Sequence, residues 1–76
     1  MKVGVLPLSD GIVVIKIFDI SGEFIRPIFH DSVEKGLAFQ ADWDGRNDAV
    51  AVSSGVYFVS VQGAGIKSVR KVILLK

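Results

Sequence analysis

The chain has no cysteine, one histidine, one tryptophan, one tyrosine and two prolines among 76 residues. Without cysteine there is neither a disulfide framework nor a thiolate metal site, and cysteine usage says nothing of the redox compartment. The single histidine, His30, confines any imidazole base or ligand to one position. No apolar run approaches the roughly 18–20 uninterrupted residues of a membrane-spanning helix, so the chain is not expected to span a membrane in that way. Nine basic residues against eight acidic ones leave a net charge of +1, and the basic side chains are scattered except for Arg70-Lys71. That is no nucleic-acid footprint, and no nucleic-acid partner is expected. A chain this short forms one domain, residues 1–76. Such a domain buries only roughly 60–65% of its unfolded surface, which leaves little room for a deep enzyme cleft. The opening "MKVGVLPLSDG" lacks the basic segment, long apolar run and small-residue cleavage site of a signal peptide. It reads either as part of a cytoplasmic chain or as a piece of something larger.

What is abundant is valine and isoleucine, which make up most of an apolar share of 50%. Branched side chains pack well on a pleated surface, and alternation at period two recurs where helical periodicity does not. Val3–Leu8 reads as a strand held to an edge by Pro7, which cannot donate to a ladder. Ser9–Gly11 is a turn. In "IVVIKIFDI", Ile12–Ile20, Val13, Ile15 and Ile17 point one way and Ile12, Val14, Phe18 and Ile20 the other. A strand apolar on both faces is either covered on both sides or keeps one face for a partner. "SGE" at 21–23 then turns the chain into Phe24–Phe29 as a hairpin. His30–Gly36 reads as a longer polar connection, Phe39–Trp43 as a strand whose Phe39, Ala41 and Trp43 share a buried face, and Val56–Gln62 as the next strand. The turn Gly63–Gly65 leads into Ile66–Leu75. There, Val69, Ile73 and Leu75 are assigned to one apolar face against Lys67 and Lys71, and Val72 and Leu74 to the other. The sum is about six or seven short strands with regular turn signals, a small antiparallel β-sandwich.

The loop "DWDGRND" invites a calcium reading, since Asp42, Asp44, Asn47 and Asp48 offer several oxygens within a few residues. The spacing argues against it. Ligands at alternate positions would need an oxygen at Arg46, the glycine comes early at Gly45, and no closing glutamate follows. The same residues suit a turn in which Asp44-Gly45 takes positive φ and Asn47 and Asp48 bond their own backbone. Trp43 is then a core residue rather than a sugar-stacking platform, and Tyr57 a packed residue with its hydroxyl anchored to backbone. His30 sits beside Asp31, with Glu34 four residues on, and Ser21, Ser53 and Ser54 lie in no recognisable nucleophile elbow. The glycines at 63 and 65 open no helix and make no phosphate loop. No catalytic residue, metal or cofactor is expected.

Taken in order, "VVIKIFDISGEFIRPIF", "WDGRND", "SSGVYFVSVQGAG" and "VRKVILLK" resemble the immunoglobulin-like module shared by flagellar hook-cap proteins and the C-terminal sorting domains of type IX secretion substrates. The resemblance covers nearly the whole chain. It implies an immunoglobulin-like antiparallel sandwich without catalytic activity, carried by large exported proteins and secreted or held at the cell surface. In the sorting version the secretion machinery reads the end of the module, which corresponds here to Arg70, Lys71, Val72, Ile73, Leu74, Leu75 and Lys76. The loop after "WDGRND" departs from the family pattern, since Ala49-Val50-Ala51-Val52 replaces a longer glycine-containing stretch, so a tighter loop or an extended strand is expected. No Asn-Pro-Phe segment precedes Val3. The favoured function is a sorting or attachment module recognised by secretion machinery. The alternative is a structural or assembly subunit, a homo-oligomer or fibre, that meets neighbouring subunits through exposed strand edges.

Overall fold

The computed structural model describes residues 1–47 and 50–75, with the backbone alone at 46, 47, 50 and 51. The fold is an all-β sandwich. Six longer strands are β1 (Lys2–Val5), β2 (Gly11–Asp19), β3 (Phe24–Val33), β4 (Phe39–Asp42), β7 (Gly55–Gly63) and β8 (Ile66–Leu74); β5 (Arg46–Asn47) and β6 (Val50–Ala51) form a two-residue hairpin between them. A four-stranded antiparallel sheet in the order β3-β2-β7-β8 is overlaid by the pair β1-β4.

The core is made by period-two alternation from both layers. Val13, Ile15 and Ile17 of β2 and Tyr57, Val59 and Val61 of β7 meet Val3 and Val5 of β1, Ala41 of β4 and Trp43 just beyond it. The neighbours in sequence along β2 and β7 point away from this core, as the pleat requires. Ile25, Ile28, Phe29 and Val33 of β3 and Ile66, Val72 and Leu74 of β8 pack partly against its flanks. Two strands cannot cover four, so those flanks stay half-open.

Several boundaries differ from the sequence reading. β1 ends at Val5, short of the expected Leu8. The connection that follows leaves the sheet and docks elsewhere, with the N–H groups of Leu8 and Ser9 both donating to the Ala64 carbonyl at 3.1 Å. Among the described residues β1 pairs with β4 alone, so the small sheet has no further strand there for Pro7 to border. His30–Val33 is not a loop but the second half of β3, because His30, Asp31 and Ser32 continue the ladder opposite Val14, Val13 and Ile12. Polar composition misled there: β3 is an outer strand of its sheet, so alternate polar side chains reach water without breaking the pairing. After "WDGRN" the strand extension takes the form of the β5-β6 hairpin, with Asn47 opposite Val50; its tip, Asp48 and Ala49, lies outside the described residues.

The β7-β8 turn shows how local chemistry sets register. Gly63 pairs with Ile66 across Ala64 and Gly65, whose φ values of 51° and 80° are both positive. Two central residues with positive φ give the turn whose twist matches the flanking strands. Gly63 itself has φ 115°, and a Cβ built there would lie 1.9 Å from the carbonyl oxygen of Ile12. No other residue fits this approach of β7 to β2.

Candidate recognition surface

The stretch from Ala41 to Val61, which holds the only tryptophan and three aspartates, is chiefly architectural. Trp43 is 1% exposed and is the largest fully buried side chain. Its ring meets Tyr57 edge-on with centroids 5.1 Å apart. Met1 and Trp43 exchange backbone hydrogen bonds at 2.9 and 3.0 Å, which carries the β1-β4 ladder one step further. The Tyr57 hydroxyl donates to the Ser53 carbonyl at 2.6 Å, the expected anchoring to backbone. Gly45 has φ 75°, and its carbonyl accepts from the Val52 N–H at 3.0 Å. Asp42 and Asp44 are exposed. Half-buried Arg26 approaches exposed Asp44 at 3.9 Å, a long, solvent-screened pair of little energetic weight. Asp48 lies outside the described residues, and among the described residues no three potential metal ligands gather.

His30 and Asp31 are consecutive residues of β3, so their side chains leave opposite faces of the sheet. Asp31 accepts from the Ser32 N–H at 2.8 Å. The hydroxyl of Ser21 is held in the β2-β3 turn, where Asp19 Oδ1 accepts from the Ser21 N–H, the Ser21 hydroxyl and the Glu23 N–H at 2.9, 2.6 and 2.9 Å. The Ser21 hydroxyl first, and then the Glu23 N–H, hold the Asp19 carboxyl below its ordinary value of 3.8. This carboxylate is committed to closing the turn.

The residues of the expected recognition segment are split among different surfaces. β8 runs from Ile66 to Leu74, and its register with β7 sets Val72 beside Tyr57, Arg70 beside Val59 and Ser68 beside Val61. Tyr57, Val59 and Val61 are buried, so Arg70, Val72 and the neighbouring Leu74 lie on the inner side. Lys67, Val69, Lys71 and Ile73 share the outer side. This corrects the sequence reading, which set Val69, Ile73 and Leu75 against Lys67 and Lys71. Odd-numbered positions of one strand share a face, and here that face is exposed, with Val69 at 68% and Ile73 at 64%. Leu75 follows the strand and is exposed, while Lys76 lies outside the described residues. Arg70 and Lys71 are therefore not a paired basic surface. Arg70 reaches across the open flank, and its guanidinium donates to the Gly4 carbonyl of β1 at 2.8 Å. It borders a cleft of about 580 Å³ lined by Gly4, Val5, Phe39 and Gln40.

The feature least legible in the sequence is the outer face of the large sheet as a continuous surface. Phe24, Phe18, Phe58 and Lys71 are successive cross-strand partners on it. The Phe18 and Phe24 rings lie 5.6 Å apart. Ile12, Phe24, Val69 and Ile73 are all exposed there. At the outward strand positions the charged side chains are Lys16, Lys67 and Lys71, and no carboxylate occurs among the described residues. The two-faced apolarity of Ile12–Ile20 was the sequence signal for this surface, and no other layer covers it among the described residues.

These features define a small all-β sandwich with one exposed, apolar and basic sheet face. Compared with protein-family models, curated proteins and solved structures, the chain finds no match in any of the three.

Proposed function

We propose that the chain is a non-catalytic recognition module of an exported bacterial protein, a sorting or attachment domain bound by secretion machinery. The observation that carries the reading is the exposure of β8. It stands at an edge of the larger sheet and shows Lys71 and Ile73 to solvent. In the resemblance drawn from the sequence, this is the segment that the machinery reads. The commitment of Trp43, Tyr57 and Asp19 to packing and turn closure further supports a role without chemistry.

The test is export of a reporter fused to residues 1–76 in a bacterium with type IX secretion. Export and surface attachment are expected with the native chain. Both should fall with Lys71→Gln/Ile73→Ser, whose melting should change by no more than about 0.5 kcal/mol per site, the usual range for surface substitutions. A native fusion retained in the cell, or export indifferent to both changes, removes the sorting role. The free edges favour assembly with neighbouring subunits as a second reading, which light scattering on the isolated chain distinguishes by polymer growth.

A further inference from the structure

The four-stranded sheet ends in two unequal edges. β3 carries Pro27, which has no N–H to donate, and its register against β2 slips between Ile15 and Lys16 and again between Ile17 and Phe18. Proline and bulges are the devices that blunt an edge. β8 has neither. Its nine residues pair with β7 from Gly55–Leu74 to Gly63–Ile66 without a shift, and among the described residues no strand lies beside its other edge. An unbroken edge of this length can extend the sheet by one more strand.

The side chains of β8 say what that strand can be. Every charged residue on it is basic: Lys67, Arg70 and Lys71. A second copy pairing two-fold with the first, faces aligned, meets like charges in every register that keeps at least seven of the nine residues. Centred on Arg70 it sets Arg70 against Arg70, centred on Lys71 it sets Lys71 against Lys71, and centred on Val69 it sets Lys67 against Lys71. Like charges directly opposite destabilise a ladder, and opposite charges stabilise it. On the outer side the basic residues alternate with Val69 and Ile73, so the complementary strand is apolar and acidic by turns.

We propose that the free edge of β8 accepts a β-strand from a different protein, whose outward side chains are acidic opposite Lys67 and Lys71 and apolar opposite Val69 and Ile73. The inference rests on the recognition reading above and names the chemistry of its partner. It also separates that partner from a second copy of the chain, against which the same lysines guard the edge.

The experiment uses the whole chain, isotopically labelled, titrated with a nine-residue peptide that alternates threonine with isoleucine and glutamate in turn. The amide signals of β8 should shift most, and binding should weaken as salt rises. Replacing the glutamates by lysines should weaken binding about tenfold, the product of two reversed cross-strand pairs. The variant Lys67→Glu/Lys71→Glu should reverse that preference. No detectable binding at millimolar peptide overturns the proposal, as does equal binding of a peptide whose backbone nitrogens are methylated, since a ladder needs its N–H groups. Shifts confined to β3 or to β2 overturn it too, and so does a β8-mediated dimer of the chain alone. If the peptide fails while export still depends on Lys71 and Ile73, strand addition is wrong and the sorting role stands. Peptide binding without export supports strand addition and removes sorting.

Discussion

Truncating Trp43 to alanine tests the core assignment most severely, because this one side chain joins both layers. It is 1% exposed, lies just beyond β4 and meets Tyr57 of β7 edge-on at 5.1 Å. Aromatic-to-alanine changes in a core cost roughly 3–5 kcal/mol through lost transfer energy and the cavity left behind. The edge-on ring pair contributes about 0.5–1.5 kcal/mol of its own. At roughly 0.05–0.15 kcal/mol per residue, the 76 residues supply about 4–11 kcal/mol in all. Trp43→Ala therefore removes roughly a quarter or more of the total and should lower the melting temperature by roughly 12–40 °C for a domain of this size. Thermal and urea unfolding followed by far-ultraviolet circular dichroism measure it, with Trp43→Phe as the control that keeps a ring in the site. Tyr57→Phe in both backgrounds separates ring packing from the hydroxyl bond to Ser53, which accounts for about 1 kcal/mol. A loss below about 1 kcal/mol for Trp43→Ala contradicts the placement of this ring and returns it to the surface as a ligand platform.

Gly63→Ala should leave the chain largely unfolded at room temperature, since its Cβ would lie 1.9 Å from the Ile12 carbonyl oxygen; a cooperative transition near the native midpoint would show that β7 does not approach β2 this closely. Arg70→Gln should destabilise by about 0.5–1.5 kcal/mol, since it removes the donor to the Gly4 carbonyl. Lys71→Gln should stay within about 0.5 kcal/mol, and equal effects in urea titrations would remove the contact between the layers. The lowered Asp19 pKa makes this carboxylate stabilising above its ordinary value of 3.8, and that contribution is lost as pH falls through the depressed folded value. Asp19→Asn should therefore flatten the acid limb of melting temperature against pH, and an unchanged acid limb would deny the turn its role.

How far each feature could be read depends on whether its cause is local. Alternation along Ile12–Ile20 and Val56–Gln62 located β2 and β7 and sorted their side chains into two faces, because side-chain period alone decides which residues can share a core. Turn chemistry placed the bends at Ser21–Glu23, at Asp44-Gly45 and at Gly63–Gly65, since positive φ favours glycine wherever the chain goes next. The all-β class and the burial of Trp43 follow from the same local rules. Which face of a half-apolar strand meets the core is a different matter, because it depends on a partner strand far away in sequence. Lys67 to Ile73 could be turned either way until the ladder with β7 fixed Val72 beside Tyr57. The same holds for His30–Val33, whose polar side chains signal a loop but whose backbone has a partner in β2. Composition identified a strand-rich chain with spare apolar surface. Only the assembled sheet decided that this surface lies on one uncovered face and that β8, rather than β3, keeps an unbroken edge, because strand order and register arise from long-range pairing that no single segment encodes.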